Sequence, residues 1–186
     1  MMMISHWRKL FNCGLLVVLT GCQAPDPRAG FYSSPLQPGD TVDIPAGIPV
    51  PAGQARVYLQ HGRLLSYGGT DQYTPFCYFR LDAPLPVEQA VGPGTFEVQS
   101  VWLEETTVSL EKPTRLVFAG VGFADGWLTL AYQFHILLAG AAAPGFKLVC
   151  SGAFDSPALA KPIRLPEVRE ALGAYVEVTV RASPAN

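Results

Sequence analysis

From Gln54 to Arg181 the chain alternates apolar and polar residues with a period of two over most of its length, the pattern of strands that bury one face. Gln54–His61 sets Ala55, Val57 and Leu59 against Arg56, Tyr58 and Gln60. Thr74–Asp82 sets Cys77, Phe79 and Leu81 against Tyr78 and Arg80, and Pro75 near its start marks an edge or an entry position. In Thr95–Leu103, Phe96 and Val98 share one parity and Val101 and Leu103 the other, so the slip near Ser100 predicts a β-bulge. Glu104–Thr107 and Lys112-Pro113 read as loop, with a short strand at Val108–Leu110 between them. Asp125-Gly126, a favoured type I′ pair, predicts a hairpin between Leu116–Phe123 and Trp127–Leu138. Phe146–Ser151 and Tyr175–Arg181 supply the last strands. Only Pro166–Leu172 reads as helix, with Pro in its first turn and Gly173 as the stop. Seven or eight strands with glycine-proline turns and one short C-terminal helix predict an all-β fold, an antiparallel sandwich or small barrel.

Before Gln54 the text changes. Residues 22–53 hold Pro25, Pro27, Pro35, Pro38, Pro45, Pro49 and Pro51, and proline cannot donate to a helix or a sheet ladder. This segment reads as a tether, with Thr41–Val50 as an extended lead-in along a sheet edge. Residues 54–182 then form a single β domain, and 183–186 a tail.

The first 21 residues carry a different signal. Arg8 and Lys9 precede a short apolar run, Leu10–Leu19, which is too short to span a bilayer and contains Asn12. The run closes on Leu19-Thr20-Gly21-Cys22, which resembles the lipobox of bacterial lipoproteins: an aliphatic residue, a small one, Gly or Ala, then Cys. The resemblance implies cleavage before Cys22 and lipid on its sulfur. It also implies the outer membrane as destination, because Gln rather than Asp follows the cysteine. Two or more acyl chains make such an anchor effectively permanent.

Cleavage would leave 165 of the 186 residues, enough chain for a real core. Of the 13 Lys and Arg, two leave with the leader, so 11 face 15 Asp and Glu and the mature net charge is −4. A mildly acidic chain of this kind speaks against nucleic acid as a partner. Cys13 also leaves with the leader, and with Cys22 lipidated, Cys77 and Cys150 remain. Two thiols in an oxidising compartment read as one disulfide. Parity agrees: Cys77 is in phase with Phe79, and Cys150 with Phe146 and Leu148, so both point inward.

Candidate chemistry is sparse. The mature chain holds two histidines, His61 and His135, and no G-x-S-x-G elbow. His61, beside a loop that holds Asp71, gives the one hydrolase reading; His135 reads as a solvated strand residue on the polar face of its strand. Glu104 and Glu105 are adjacent, so a strand would point them to opposite faces, away from a shared substrate atom. No metal cluster, phosphate loop or dinucleotide loop is legible, and no cofactor is expected. Tyr58, Tyr67, Tyr73 and Tyr78, with Phe76, crowd one stretch and suggest a shallow aromatic platform for glycan, peptide or lipid, with an envelope protein or glycan as the expected partner. The sequence thus predicts an outer-membrane lipoprotein whose β domain binds or scaffolds a ligand. The rivals are an envelope hydrolase using His61 and Asp71, and a lipid carrier with a cavity between its sheets.

Overall fold

The computed structural model describes residues 30–110, 127–140 and 146–181. In chain order the strands are β1 (Thr41–Ile44), β2 (Ile48–Val50), β3 (Arg56–Gln60), β4 (Arg63–Leu65), β5 (Phe76–Arg80), β6 (Gln89–Val91), β7 (Gly94–Leu110), β8 (Trp127–Ala139), β9 (Lys147–Ser151) and β10 (Glu177–Thr179). One α-helix, α1 (Leu165–Leu172), precedes β10. Eight strands form an antiparallel sheet in the order β10-β1-β7-β8-β9-β5-β3-β4, curled into a half-barrel; β2 and β6 pair separately.

The concave side of this sheet is the core. Val57 and Leu59 of β3, Cys77 and Phe79 of β5, Leu148 and Cys150 of β9, and Phe134 and Ile136 of β8 all face it. The helix closes it, with Val168, Ala171 and Leu172 packed into the same cluster and their polar neighbours turned to solvent. Pro166 sits in the first turn, where its missing N–H costs nothing, and the Arg164 N–H donates to Glu167 Oε2 at 2.7 Å. One cross-strand row, Leu59–Cys77–Cys150–Phe134–Leu103, runs through the middle. Cys77 and Cys150 lie directly opposite each other in it, joined by the disulfide. The concave face is thus occupied by apolar side chains and closed by the helix.

The all-β expectation holds, and so does the bulge: the β7–β8 register shifts between Val98 and Ser100. Pro75 stands just before β5, at its entry, and β5 itself lies inside the sheet. Other expectations need correction. Glu104–Thr107 is strand and not loop, because each residue has a partner in β8, from Glu104 opposite Gln133 to Thr107 opposite Leu130. Their polarity reflects an exposed ribbon, not a turn. The Leu116–Phe123 strand and the Asp125-Gly126 turn lie outside the described residues; where β8 is described, its neighbours are β7 and β9.

The proline-rich segment is largely part of the packed body. From residue 30 onward Leu36 is buried, the Gly39 N–H donates to Val98 O, and β1 lies between β7 and β10, not along an edge. The buried Asp40 binds the Gln37 and Arg181 N–H groups, each at 2.8 Å, and so ties the start of β1 to the end of the chain beyond β10. Proline is tolerated here because Pro45 falls between β1 and β2, and Pro49 sits in the two-stranded pair.

Candidate functional site: the outer face of the sheet

The side of the sheet opposite the core carries two cross-strand rows. Tyr58 of β3, Tyr78 of β5, Val149 of β9, His135 of β8 and Trp102 of β7 are successive partners in one. Two residues along each strand, Arg56, Arg80, Lys147, Leu137 and Ser100 form the other. At about 4.8 Å per strand, the aromatic row spans roughly 19 Å and the three cations roughly 10 Å.

The aromatic row is layered. Tyr58 packs on Tyr78 with ring centroids 5.1 Å apart, and Phe76 and Val149 complete a small apolar cluster beneath them. Tyr67, from a short 3-10 turn at Tyr67–Gly69, lies 5.7 Å from Tyr58 and covers it. That loop is held from below by Gln60, whose buried amide donates to Asp71 O at 2.7 Å and Thr74 Oγ1 at 2.6 Å. The same side chain accepts from the Asp71 N–H at 3.0 Å. A side-chain amide can satisfy both sides of such a loop, and a leucine there could not. The expected platform is thus partly dismantled. Tyr58, Tyr67 and Tyr78 come together, but Tyr58 and Tyr78 are buried, and only Tyr67, 62% exposed, offers a ring to solvent. Tyr73 is exposed too, yet has no described ring contact with the others.

At the far end of the row His135 is not the solvated histidine that its strand parity suggested. It is only 6% exposed, stacked on Trp102 at 5.1 Å with the rings 12° from parallel. Its Nε2 lies 2.8 Å from Glu104 Oε2 but without the alignment of a hydrogen bond. Burial pushes the His135 pKa below its ordinary value; Glu104 opposes this, while Arg80, Lys147 and Arg56 add to it. At neutral pH the ring is neutral.

The cations are the less expected part. Arg56 and Arg80 are directly opposed, and so are Arg80 and Lys147. Like charges in that relation destabilise a sheet. Arg56 relieves some of this by lying over Tyr78 at 5.4 Å, and the neighbouring Tyr58 hydroxyl holds its pKa above the ordinary value. Lys147 leans over Trp102 at 5.3 Å. Among the described residues none of the three forms an ion pair with a carboxylate. Arg56, Tyr58, Ser66 and Tyr67 line a shallow open groove of about 440 Å³ at this end.

The remaining predicted groups fall elsewhere. His61 and Asp71 do not pair. His61 and Gly62 form the two-residue turn of the β3–β4 hairpin, both with positive φ, and the turn docks on the end of α1. There the Gly62 N–H donates to Ala171 O and His61 Nδ1 meets Glu170 Oε1 at 3.0 Å. The Asp71 carboxylate instead accepts from the Tyr73 N–H at 2.9 Å, a local turn contact. Among the described residues no three His, Cys, Asp or Glu side chains cluster as a metal site requires, and no helix is long and apolar enough to cross a membrane. Cys22 lies outside the described residues.

No family model, curated protein or solved structure matches this chain. The functional reading therefore rests on the residues themselves. Arg56, Arg80, Lys147 and Trp102 escaped the sequence reading because each looks unremarkable in its own strand. Only the register sets the three cations side by side.

Proposed function

We propose that this protein is a lipid-anchored binding module of the bacterial outer membrane, and that the outer face of its sheet holds an acidic ligand. The lipobox-like Leu19-Thr20-Gly21-Cys22 supports the anchor. The binding reading is carried by one observation: three directly opposed cations, without carboxylate partners among the described residues, on a chain whose net charge is negative. Opposed like charges raise the energy of the free protein, and an anion seated between them removes that cost. Trp102, 41% exposed, and Tyr67 flank the cations and offer ring edges and a phenol to a sugar or peptide.

Two experiments test this reading. Expressed with its own leader, the protein should fractionate with outer membranes and incorporate labelled palmitate; Cys22→Ser should abolish both. Wild-type protein that is unlabelled and soluble would remove the anchor. For the ligand, an acidic glycan fraction and a neutral one should be compared by calorimetry. Binding of the acidic fraction should weaken with salt and be lost in the Arg56→Gln/Arg80→Gln/Lys147→Gln variant. Equal binding of the neutral fraction, or an unaffected triple variant, would refute it.

A further inference from the structure

The chain enters its fold through an aromatic patch that the outer face does not involve. Phe31 and Tyr32 are 52% and 57% exposed, although both rings pack edge-on against Tyr132, at 6.4 and 5.5 Å. Tyr132 belongs to a small cluster with Leu130 and Ala160, and Leu159, next to Ala160, is 60% exposed. Two consecutive surface aromatics, with an exposed leucine one residue along from their cluster, are exposed apolar groups of the sort that mark an interaction site. The phenols of Tyr32 and Tyr132 add polar groups to the apolar rings. That combination suits the headgroup region of a bilayer.

Covalent reach says which partner is at hand. Eight peptide steps separate Cys22 from Gly30, the first described residue. Fully extended, they span no more than about 28 Å. A globule of this chain length has a diameter of roughly 36 Å. A lipidated Cys22 therefore keeps Gly30, and with it Phe31 and Tyr32, within about 28 Å of the bilayer surface, less than one domain diameter. The carboxylates nearby bear on the kind of surface. Glu105 lies close enough to Tyr132 to act on its phenol, and Asp155 pairs with Leu130 through its backbone. Arg164 lines the hollow beside Phe31, so the surroundings carry both signs of charge, which suits a zwitterionic surface.

We infer that Phe31, Tyr32 and Leu159 form a membrane contact that seats the domain against the zwitterionic bilayer carrying its anchor. This rests on the lipid anchor proposed above and is independent of the acidic-ligand face. The bilayer then fixes the orientation of the domain.

The test uses full-length lipidated protein in phosphatidylethanolamine–phosphatidylcholine vesicles. A photocrosslinking benzoylphenylalanine replaces Phe31, Tyr32 or, as a control on another face, Tyr67. Intact mass first reads the modification on Cys22. Lipid adducts at positions 31 and 32 should exceed those at 67 by roughly tenfold, as expected for residues buried in the interface. The Leu159→Ser variant, probed at position 31, should lower the yield severalfold while the protein stays anchored. A lipidated Cys22 with equal adducts at 31 and 67, or with adducts to protein in place of lipid at 31, overturns the contact but leaves the anchor standing. An unmodified Cys22 overturns both.

Discussion

The disulfide gives the sharpest quantitative test of the fold. Cys77 and Cys150 are fully buried and 73 residues apart in sequence. Closing a loop of that length lowers the entropy of the unfolded chain by an amount worth about 4 kcal/mol at 25 °C in the chain-entropy model. For a domain of this size, each kcal/mol moves Tm by roughly 2–4 °C, so losing the bridge should lower Tm by roughly 8–16 °C. The perturbation must be chosen with the site in mind. The sulfurs sit between Leu59 and Phe134 in a dry row, so serine would bury hydroxyls without partners and add a separate penalty. Cys77→Ala/Cys150→Ala avoids that but leaves a small void, which costs roughly a further 1–2 kcal/mol. Reduced wild-type protein keeps the volume and removes only the bond. Urea unfolding of oxidised wild type, reduced wild type and the double alanine variant therefore separates cross-link from packing. The reduced form should lose about 4 kcal/mol and show a larger m-value, because its unfolded state is more expanded. Because neither sulfur reaches solvent, thiols of the native oxidised protein should appear only as fast as the domain opens. Coincident midpoints for oxidised and reduced protein, or rapid thiol release without unfolding, would refute the reasoning.

Three further outcomes follow from individual side chains. Gln60→Ala removes the short hydrogen bonds to Asp71 and Thr74 that hold the loop below Tyr67 and should cost about 2–3 kcal/mol, with faster proteolysis within residues 66–75; a loss below about 1 kcal/mol would mean the loop is held otherwise. Gly173→Ala should cost about 2 kcal/mol or more, since φ is +58° and a Cβ would strike Gly62, whereas Gly53→Ala, at φ +77° in open space, should cost only about 1 kcal/mol; equal losses in urea melts would contradict the close approach. His135 should titrate below its ordinary 6.5 by NMR, lower still in Glu104→Gln and higher in Arg80→Gln. Its unfolded form binds protons first, so stability is full above pH 6.5 and falls as the pH drops towards the depressed native pKa; a midpoint above 6.5 would reverse the sign.

The amino-acid sequence by itself determined the all-β class, the inward faces of β3, β5, β8 and β9, and the pairing of the cysteines. Those follow from the two-residue period of a strand and from the need to bury Phe79, Phe134, Leu148 and their in-phase neighbours. The bulge near Ser100 was legible for the same reason: a change of parity leaves a mark in the text. The sequence could not decide which strands become neighbours, because hydrogen-bond partners far apart in the chain leave no local trace. Tertiary register alone opposed Arg56, Arg80 and Lys147, slid Trp102 over His135 and turned a polar loop at Glu104–Thr107 into strand. It also drew a proline-rich stretch into the sheet, since β7 and β10 left a gap that β1 fills. Local pattern sets what each strand buries. Only the packed sheet decides which exposed groups share a surface, and a binding site is made of those.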